Sequence, residues 1–484
     1  MGVVLLGVII GIATMIILVA KTRVPATPAM LIAMLIIGLF AGMEPTELVT
    51  NIQNGFGNTL SSIGIVIALG VIMGSCFEHS GAATRMAKTF VKICGKGRED
   101  IALGLTGLIV SIPVFADSAF IILNSLVRAI SHTSGKSVVG LGAALGIALL
   151  ISSTLLPPTP GPLAVAGILG VNLGVFILWG ILFSAAMFFL ALVYVRKVSK
   201  DHFLIPDGDH WITSQADWAS VRKLEEVQEH HLPGNFLSFA PIVVPILLIF
   251  INTFFGAGDG FVHGVIQLVG TPVVAVGIGV LIAIYGLTRH VKRTEMVDSM
   301  DHALASAGLV LVVTGLGGAM GAVLSESGAG AHMADVILSS GVPPLLVPFV
   351  IASLLKVMQG SSTAAMIVAA TMTAPLVEPL GIDPVFAGMA CGVGALSLSH
   401  LNDSFYHVVT RNIGLQYLPD QMKVWSLTTT TAWGAGGSLV MLVNLIFGQS
   451  GTIIDPIAPL IVLFAIFAVR KYISGRQHRV KPAE

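Results

Sequence analysis

Apolar residues in this chain run in long unbroken stretches rather than alternating with polar ones. Residues 2–20 carry no charged side chain and nearly reach the ~20 residues that a bilayer-crossing helix needs. Comparable runs fall near 26–43, 60–78, 172–195, 238–255, 271–288, 303–325, 426–448 and 452–469. Four further stretches, 101–131, 137–170, 343–376 and 384–414, are apolar but longer than one span. Each is interrupted near its middle by Pro, Gly or clustered Ser, Thr, Asn and Asp. Backbone broken inside a bilayer is tolerated only where it is buried in protein or lines a wet cavity. The four interruptions are therefore expected to meet at a functional site.

Composition narrows the class. Of 484 residues, 55% are hydrophobic and 10% charged, against about 25% charged in soluble domains. Mean hydropathy is +0.92. A soluble enzyme and a disordered chain are excluded, and the lipid bilayer becomes the main partner. Twenty-five basic residues balance 25 acidic ones, so there is no electrostatic footprint for nucleic acid. Cys76, Cys94 and Cys391 form neither a CxxC pair nor a disulfide framework. No Walker lysine motif or GxGxxG spacing appears, so no nucleotide drives the protein. The polar loop 198–235 holds His202, His210, His230 and His231 without metal-ligand spacing. It reads as a solvated linker, and no metal or other cofactor is expected.

Basic residues set the topology. They follow the first run (Lys21, Arg23) and the third (Arg85, Lys88, Lys92, Lys96, Arg98). They also open the 198–235 loop (Arg196, Lys197, Lys200), follow residue 288 (Arg289, Lys292, Arg293) and close the chain from Arg470 to Lys481. Segments 44–58, 256–270 and 326–342 have none. All basic loops share the cytoplasmic side if 101–131 and 343–376 are re-entrant hairpins and the other two interrupted segments cross once. The N-terminus is then outside and the C-terminus inside. The first run lacks a basic leader and reads as a retained span.

The chain also repeats. Gly70, Gly74, Ser80, Gly81, Met86 and Ala87 match Gly317, Gly321, Ser327, Gly328, Met333 and Ala334 at a constant shift. The GxxxG pairs suit close helix packing. The order of elements repeats as well, with an odd number of crossings, so the second half runs inverted. The predicted fold is an all-α polytopic membrane protein of two inverted repeats. Each has three spans, a re-entrant hairpin, a broken helix and a further span, and one C-terminal span is added. The boundaries are 1–197 (hairpin 101–131, broken helix 137–170), the cytoplasmic linker 198–235, 236–449 (hairpin 343–376, broken helix 384–414) and 450–484. Inverted repeats with paired broken helices point to a secondary transporter, its site at the midplane.

Each break supplies candidates. The first hairpin tip carries Asp117 and Ser118; a membrane-embedded carboxylate is a functional hypothesis by default. The first broken helix has prolines and Gly161 within 157–162, with Ser152, Ser153, Thr154 and Thr159 beside them. The second tip, Gly360, Ser361, Ser362 and Thr363, offers hydroxyls and helix-start amides for a carboxylate. Lys356, one turn earlier, attracts an anion or snorkels to the surface. The second broken helix clusters Ser399, His400, Asn402, Asp403 and Ser404. Asp117, His400 and Asp403 are the candidate proton carriers. Glu78 and Glu326, at span ends, read as interfacial.

The pieces NGFGNTLSSIG (54–64), EHSGAA (78–83), IPVFADSAFIIL (112–123), LPPTPGP (156–162), QGSSTAA (359–365) and SHLNDSFYHVV (399–409) carry a resemblance. In order and across nearly the whole chain, they resemble the gluconate permease family, the gluconate:proton symporters of the larger ion-transporter superfamily. The resemblance implies inward symport of a small hydroxylated monocarboxylate with a proton, in a bacterial inner membrane, by a homodimer. Gluconate, related sugar acids, glycerate and D-serine are the substrates it implies. Where members usually carry an aromatic residue this chain has Ala116, and Thr159 stands where a His is common. The alternatives are a sodium-coupled organic anion symporter, an anion channel and an intramembrane aspartyl enzyme. The last lacks the GxGD motif.

Overall fold

The computed structural model describes residues 2–22, 24–207, 210–214, 218, 232–401, 403–448 and 451–477. The first half holds α1 (Gly2–Lys21), α2 (Ala26–Phe40), α3 (Pro45–Ser80), α4 (Ala82–Cys94), α5 (Glu99–Val110), α6 (Ala116–Ser134), α7 (Val138–Leu155), α8 (Pro160–Ile168) and α9 (Leu173–Ser199). The second half begins with α10 (Asn235–Phe255), α11 (Phe261–Gly270), α12 (Pro272–Ile282), α13 (Arg293–Glu326), α14 (Ala329–Ser340) and α15 (Leu346–Gln359). It continues with α16 (Ser362–Val377), α17 (Pro384–Gly394), α18 (Ser404–Asn412), α19 (Leu418–Gln421), α20 (Leu427–Phe447) and α21 (Ile457–Gln477). Among the described residues, six helices are long and apolar enough to cross a membrane, or seven if the bent α11–α12 pair is one span.

Local chemistry places the boundaries. Pro45 starts α3, where its missing N–H has no partner to lose. Gly81 ends it at φ 71°, a left-handed conformation that glycine adopts without a Cβ penalty. Gly328, at φ 67°, stands in the matching place between α13 and α14. Pro113 opens the first tip and Pro157, Pro158 and Pro160 the first break, because prolines remove donors and clash with a continuing helix; the second tip turns at Gly360, at φ 77°.

The long helices α3 and α13 pack antiparallel, from Gly55 beside Gly318 and Ala319 to Ser75 beside Ser299. Their backbones nearly touch: a Cβ on Gly55 would lie 2.7 Å from Ala319 Cα and from the Gly318 carbonyl. Further along α3, Gly70 faces the Pro158 carbonyl and Gly74 faces the Pro113 carbonyl. The first GxxxG thus seats the two first-half breaks rather than another helix. Gly317 faces Thr371 and Ile367 of α16, whereas a Cβ on Gly321 would meet nothing within 4 Å.

Each hairpin's first arm packs on its own broken helix, α5 on α7 and α15 on α17. The second arms cross over, α6 meeting α18 and α16 meeting α8. Ser152 Oγ donates to the Leu108 carbonyl at 2.7 Å, and Ser397 Oγ donates to the Ser353 carbonyl at 2.9 Å. These two bonds tie each broken helix to its hairpin.

Several expectations need correction. The span expected near 60–78 begins at Pro45, and that near 303–325 begins at Arg293. Polar turns extend both helices; in α3 the extension runs through Gly55 and Gly57, with Gly55 packed against α13. The stretch 256–270 is not simply a loop: α11 meets α12 there at 65°. The 198–235 segment is not only a linker. Ile205–Asp207 (β1) and His210–Ile212 (β2) pair antiparallel, a small exception to an all-helical fold. Its Trp211 lies under the Arg128 guanidinium, and Trp218 Nε1 donates to the His132 carbonyl, so the segment is anchored on α6. His202 bonds Asp420 at 3.1 Å, while His230 and His231 lie outside the described residues.

The glycine seats predict an asymmetric pair of outcomes. Gly74→Ala puts a Cβ 2.3 Å from the Pro113 carbonyl and is expected to cost about 1–3 kcal/mol by overpacking. Gly321→Ala, at the matching position, should leave the unfolding temperature in detergent unchanged.

Candidate functional site

Four helices begin at one place. The first turns of α6, α8, α16 and α18 surround a cavity of about 260 Å³. Its wall includes Ala116 and Asp117 from α6, Thr159 to Gly161 from α8, Ser361 to Thr363 from α16 and Asp403 to Phe405 around the start of α18. A helix start leaves its first N–H groups without acceptors in the helix and carries a partial positive charge. Ser361 Oγ accepts from the Ala364 N–H at 3.3 Å, and Asp403 Oδ1 accepts from the Phe405 N–H at 3.0 Å. No side chain caps α6 or α8. Pro160 and Pro162 carry no N–H, so the amide of Gly161 is the donor left free at the mouth of α8. The combined field favours an anion.

Among the described residues, two polar atoms in this wall lack protein partners. Asp117 Oδ1 and Ser362 Oγ are both buried with no hydrogen bond. Such groups are costly unless something else satisfies them, so they mark where a ligand is expected to bond.

The other carboxylate is fully engaged. Lys356 Nζ lies 2.8 Å from Asp403 Oδ2 and donates to the Gly360 carbonyl at 2.5 Å. Both side chains are almost completely buried. Ser399 Oγ donates to the same Asp403 oxygen at 2.5 Å and accepts from Trp425 Nε1 at 3.0 Å. Ser426 Oγ donates to the Ser399 carbonyl, and the Ser399 N–H donates to Thr429 Oγ1. The start of α20 thereby satisfies the broken backbone at Ser399. Lys356 neither snorkels nor faces the cavity as a free cation.

The predicted residues divide. Asp117, Ser153, Thr159, Gly360, Ser361, Ser362, Thr363, Asp403 and Ser404 line the cavity. Ser152 is turned to Leu108, and Thr154 Oγ1 donates to the Ile151 carbonyl of its own helix. His400 Nε2 bonds the Val357 carbonyl and does not line the wall. Asn402 lies outside the described residues. Ser118 lines a neighbouring cavity of about 220 Å³ with Ser75, Glu78, Ser299 and His302, so Glu78 is not merely interfacial. Phe115, which borders both cavities, and Phe405 were not singled out from sequence. The IPVFADS segment held the signal for Phe115, one residue before Ala116.

Comparison with known proteins gives the same direction. Residues 3–446 match the family described as GntP family permease. An uncharacterized permease of Haemophilus influenzae is 38% identical over 96% of each chain. A gluconate permease of Pseudomonas aeruginosa is 27% identical over 91% of this chain and 98% of its own. An Escherichia coli protein named the Gnt-II system L-idonate transporter is 27% identical over 90% and 98%. The fold is similar to that of the Alcanivorax borkumensis YdaH transporter, with a TM-score of 0.57 at 17% identity, covering 84% of this chain and 91% of that one. Breaks, cavity and relatives converge: the chain belongs to the GntP permease family of membrane transporters.

Proposed function

We propose that this permease imports a small hydroxylated monocarboxylate together with one proton. The observation that carries the reading is the cavity ringed by four helix starts, holding one carboxylate, Asp117, that no cation pairs. The helix starts attract the substrate carboxylate. Ser153, Thr159, Ser361, Ser362, Thr363 and Ser404 offer bonds to its hydroxyls. Relatives named for gluconate and L-idonate, both polyhydroxylated monocarboxylates, support this class.

Like charges in so small a space repel strongly where little water screens them. The cavity therefore accepts the substrate anion when Asp117 carries a proton. That requirement links one proton to one monoanion and moves no net charge. Asp403, held by Lys356, Ser399 and a backbone amide, and His400, bound to a carbonyl, are less free to exchange protons. Asp117 is thus assigned the coupling role among the three candidates.

The paired order of hairpins and broken helices supports an inverted-repeat carrier. The hairpin ties of Ser152 and Ser397 span 44 residues in both halves. Short hairpin arms at α5 and α15 suit re-entrant segments, with the basic loops cytoplasmic. Bacterial inner-membrane placement as a homodimer follows the family resemblance. Alternating access then moves hairpins and broken helices against the remaining spans.

Two variants test the assignment in proteoliposomes. Asp117→Asn is expected to abolish accumulation of labelled gluconate or a related acid under an imposed proton gradient, while counterflow exchange persists. Accumulation equal to the native protein would remove Asp117 from coupling. Ser362→Ala should raise KM roughly tenfold, the value of about one lost hydrogen bond, with the accumulation ratio unchanged.

A further inference from the structure

We infer that the Lys356 ammonium is a built-in cation, occupying an oxygen-lined seat that would otherwise hold a monovalent metal ion and making the carrier indifferent to sodium. The seat is made by the Gly360 carbonyl at 2.5 Å and Asp403 Oδ2 at 2.8 Å. Carboxylate and backbone carbonyl oxygens are the ligand types that hard cations take; these two would be completed by water from the cavity. Gly360 follows the last turn of α15, where unpaired carbonyls and the negative end of the helix dipole both favour positive charge. The seat is also reachable, since Gly360 and Asp403 border the cavity.

Lys356 fills this place from inside the protein. Its side chain is 1% exposed, and its partner carboxylate is 5% exposed. An ammonium has three donors and no acceptor, so it satisfies oxygens from two elements at once, the hairpin tip and the start of α18. The first half differs. Among the described residues no lysine or arginine pairs with Asp117. One site carboxylate thus has a lysine ion-pair partner, and the other has none among the described residues. A sodium ion finds the Asp403 oxygen already taken.

The test uses full-length protein in detergent and needs no substrate. Unfolding temperatures are compared in sodium chloride and choline chloride at equal ionic strength for the native chain, Lys356→Ala and the Lys356→Ala/Asp403→Asn double variant. The native chain should melt at the same temperature in both salts. Lys356→Ala should melt lower in choline and be raised by several degrees by sodium. The double variant, lacking the carboxylate, should lose that sodium response.

A second arm rests on the transport reading above. In proteoliposomes an inward sodium gradient should stimulate uptake by Lys356→Ala but not by the native protein. The inference is overturned if sodium stabilises the native chain over choline. It is also overturned if Lys356→Ala shows no sodium-specific gain, including recovery of no folded protein in either salt. Absence of uptake in every protein, with the sodium-dependent melting intact, would instead overturn the transport reading and leave this inference standing.

Discussion

Unpaired backbone at the ends of short helices is the constraint around which the molecule is organised. In an apolar envelope no water is at hand to bond these groups. Breaking four helices there creates many such groups at once. The structure gathers four N-terminal ends around one cavity and satisfies the intervening strands from outside. Ser426 and Thr429 bond both backbone groups of Ser399, and Gly70 and Gly74 let the Pro158 and Pro113 carbonyls lie against α3. Asp117 Oδ1 and Ser362 Oγ, without partners among the described residues, lie in the cavity wall. The same deficit that makes broken helices unfavourable becomes the basis of recognition.

Charge follows the same logic. A buried ion pair gains little net stability over an apolar replacement, but removing one partner is costly. The Lys356–Asp403 pair is therefore understood better as a fixed element of the site than as a source of stability. It joins the second hairpin to the second broken helix, so those two elements are constrained to move together. Asp117, on the opposite hairpin, forms no ion pair with a lysine or arginine among the described residues.

Much of this was legible in the chain. The four interruptions, Asp117 and the Gly360–Thr363 tip are visible because charged and helix-breaking residues are rare within apolar runs. Other features were hidden for physical reasons. Ser152 and Thr154 look like ligands, but hydroxyls in apolar helices readily bond nearby carbonyls instead. Lys356 sits one turn from a tip, a position equally compatible with snorkelling, and its partner is 47 residues away. The glycine-rich TGLGGAMG segment has no nucleotide chemistry. Gly318 within it meets Gly55 of the NGFGN segment at backbone distance, a pairing no local pattern announces. The starts of α3 and α13 were missed because polar turns can continue a helix; α3 runs on even through Gly55 and Gly57, where Gly55 is packed against α13.

The length of α3 has a mechanical consequence. Thirty-six residues make a rod ~54 Å long at about 1.5 Å per residue, against a hydrocarbon layer of ~30 Å. Such a rod leans or protrudes. It lies along α13 from Gly55 to Ser75, and on another face it seats the Pro158 and Pro113 carbonyls at Gly70 and Gly74. Where the two backbones meet at Gly55 and Gly318 the contact is stiff, because little side chain lies between them to yield. With α13 alongside it over that whole length, a change of lean would carry both long helices together, and with them the two breaks that hold Asp117 and Thr159.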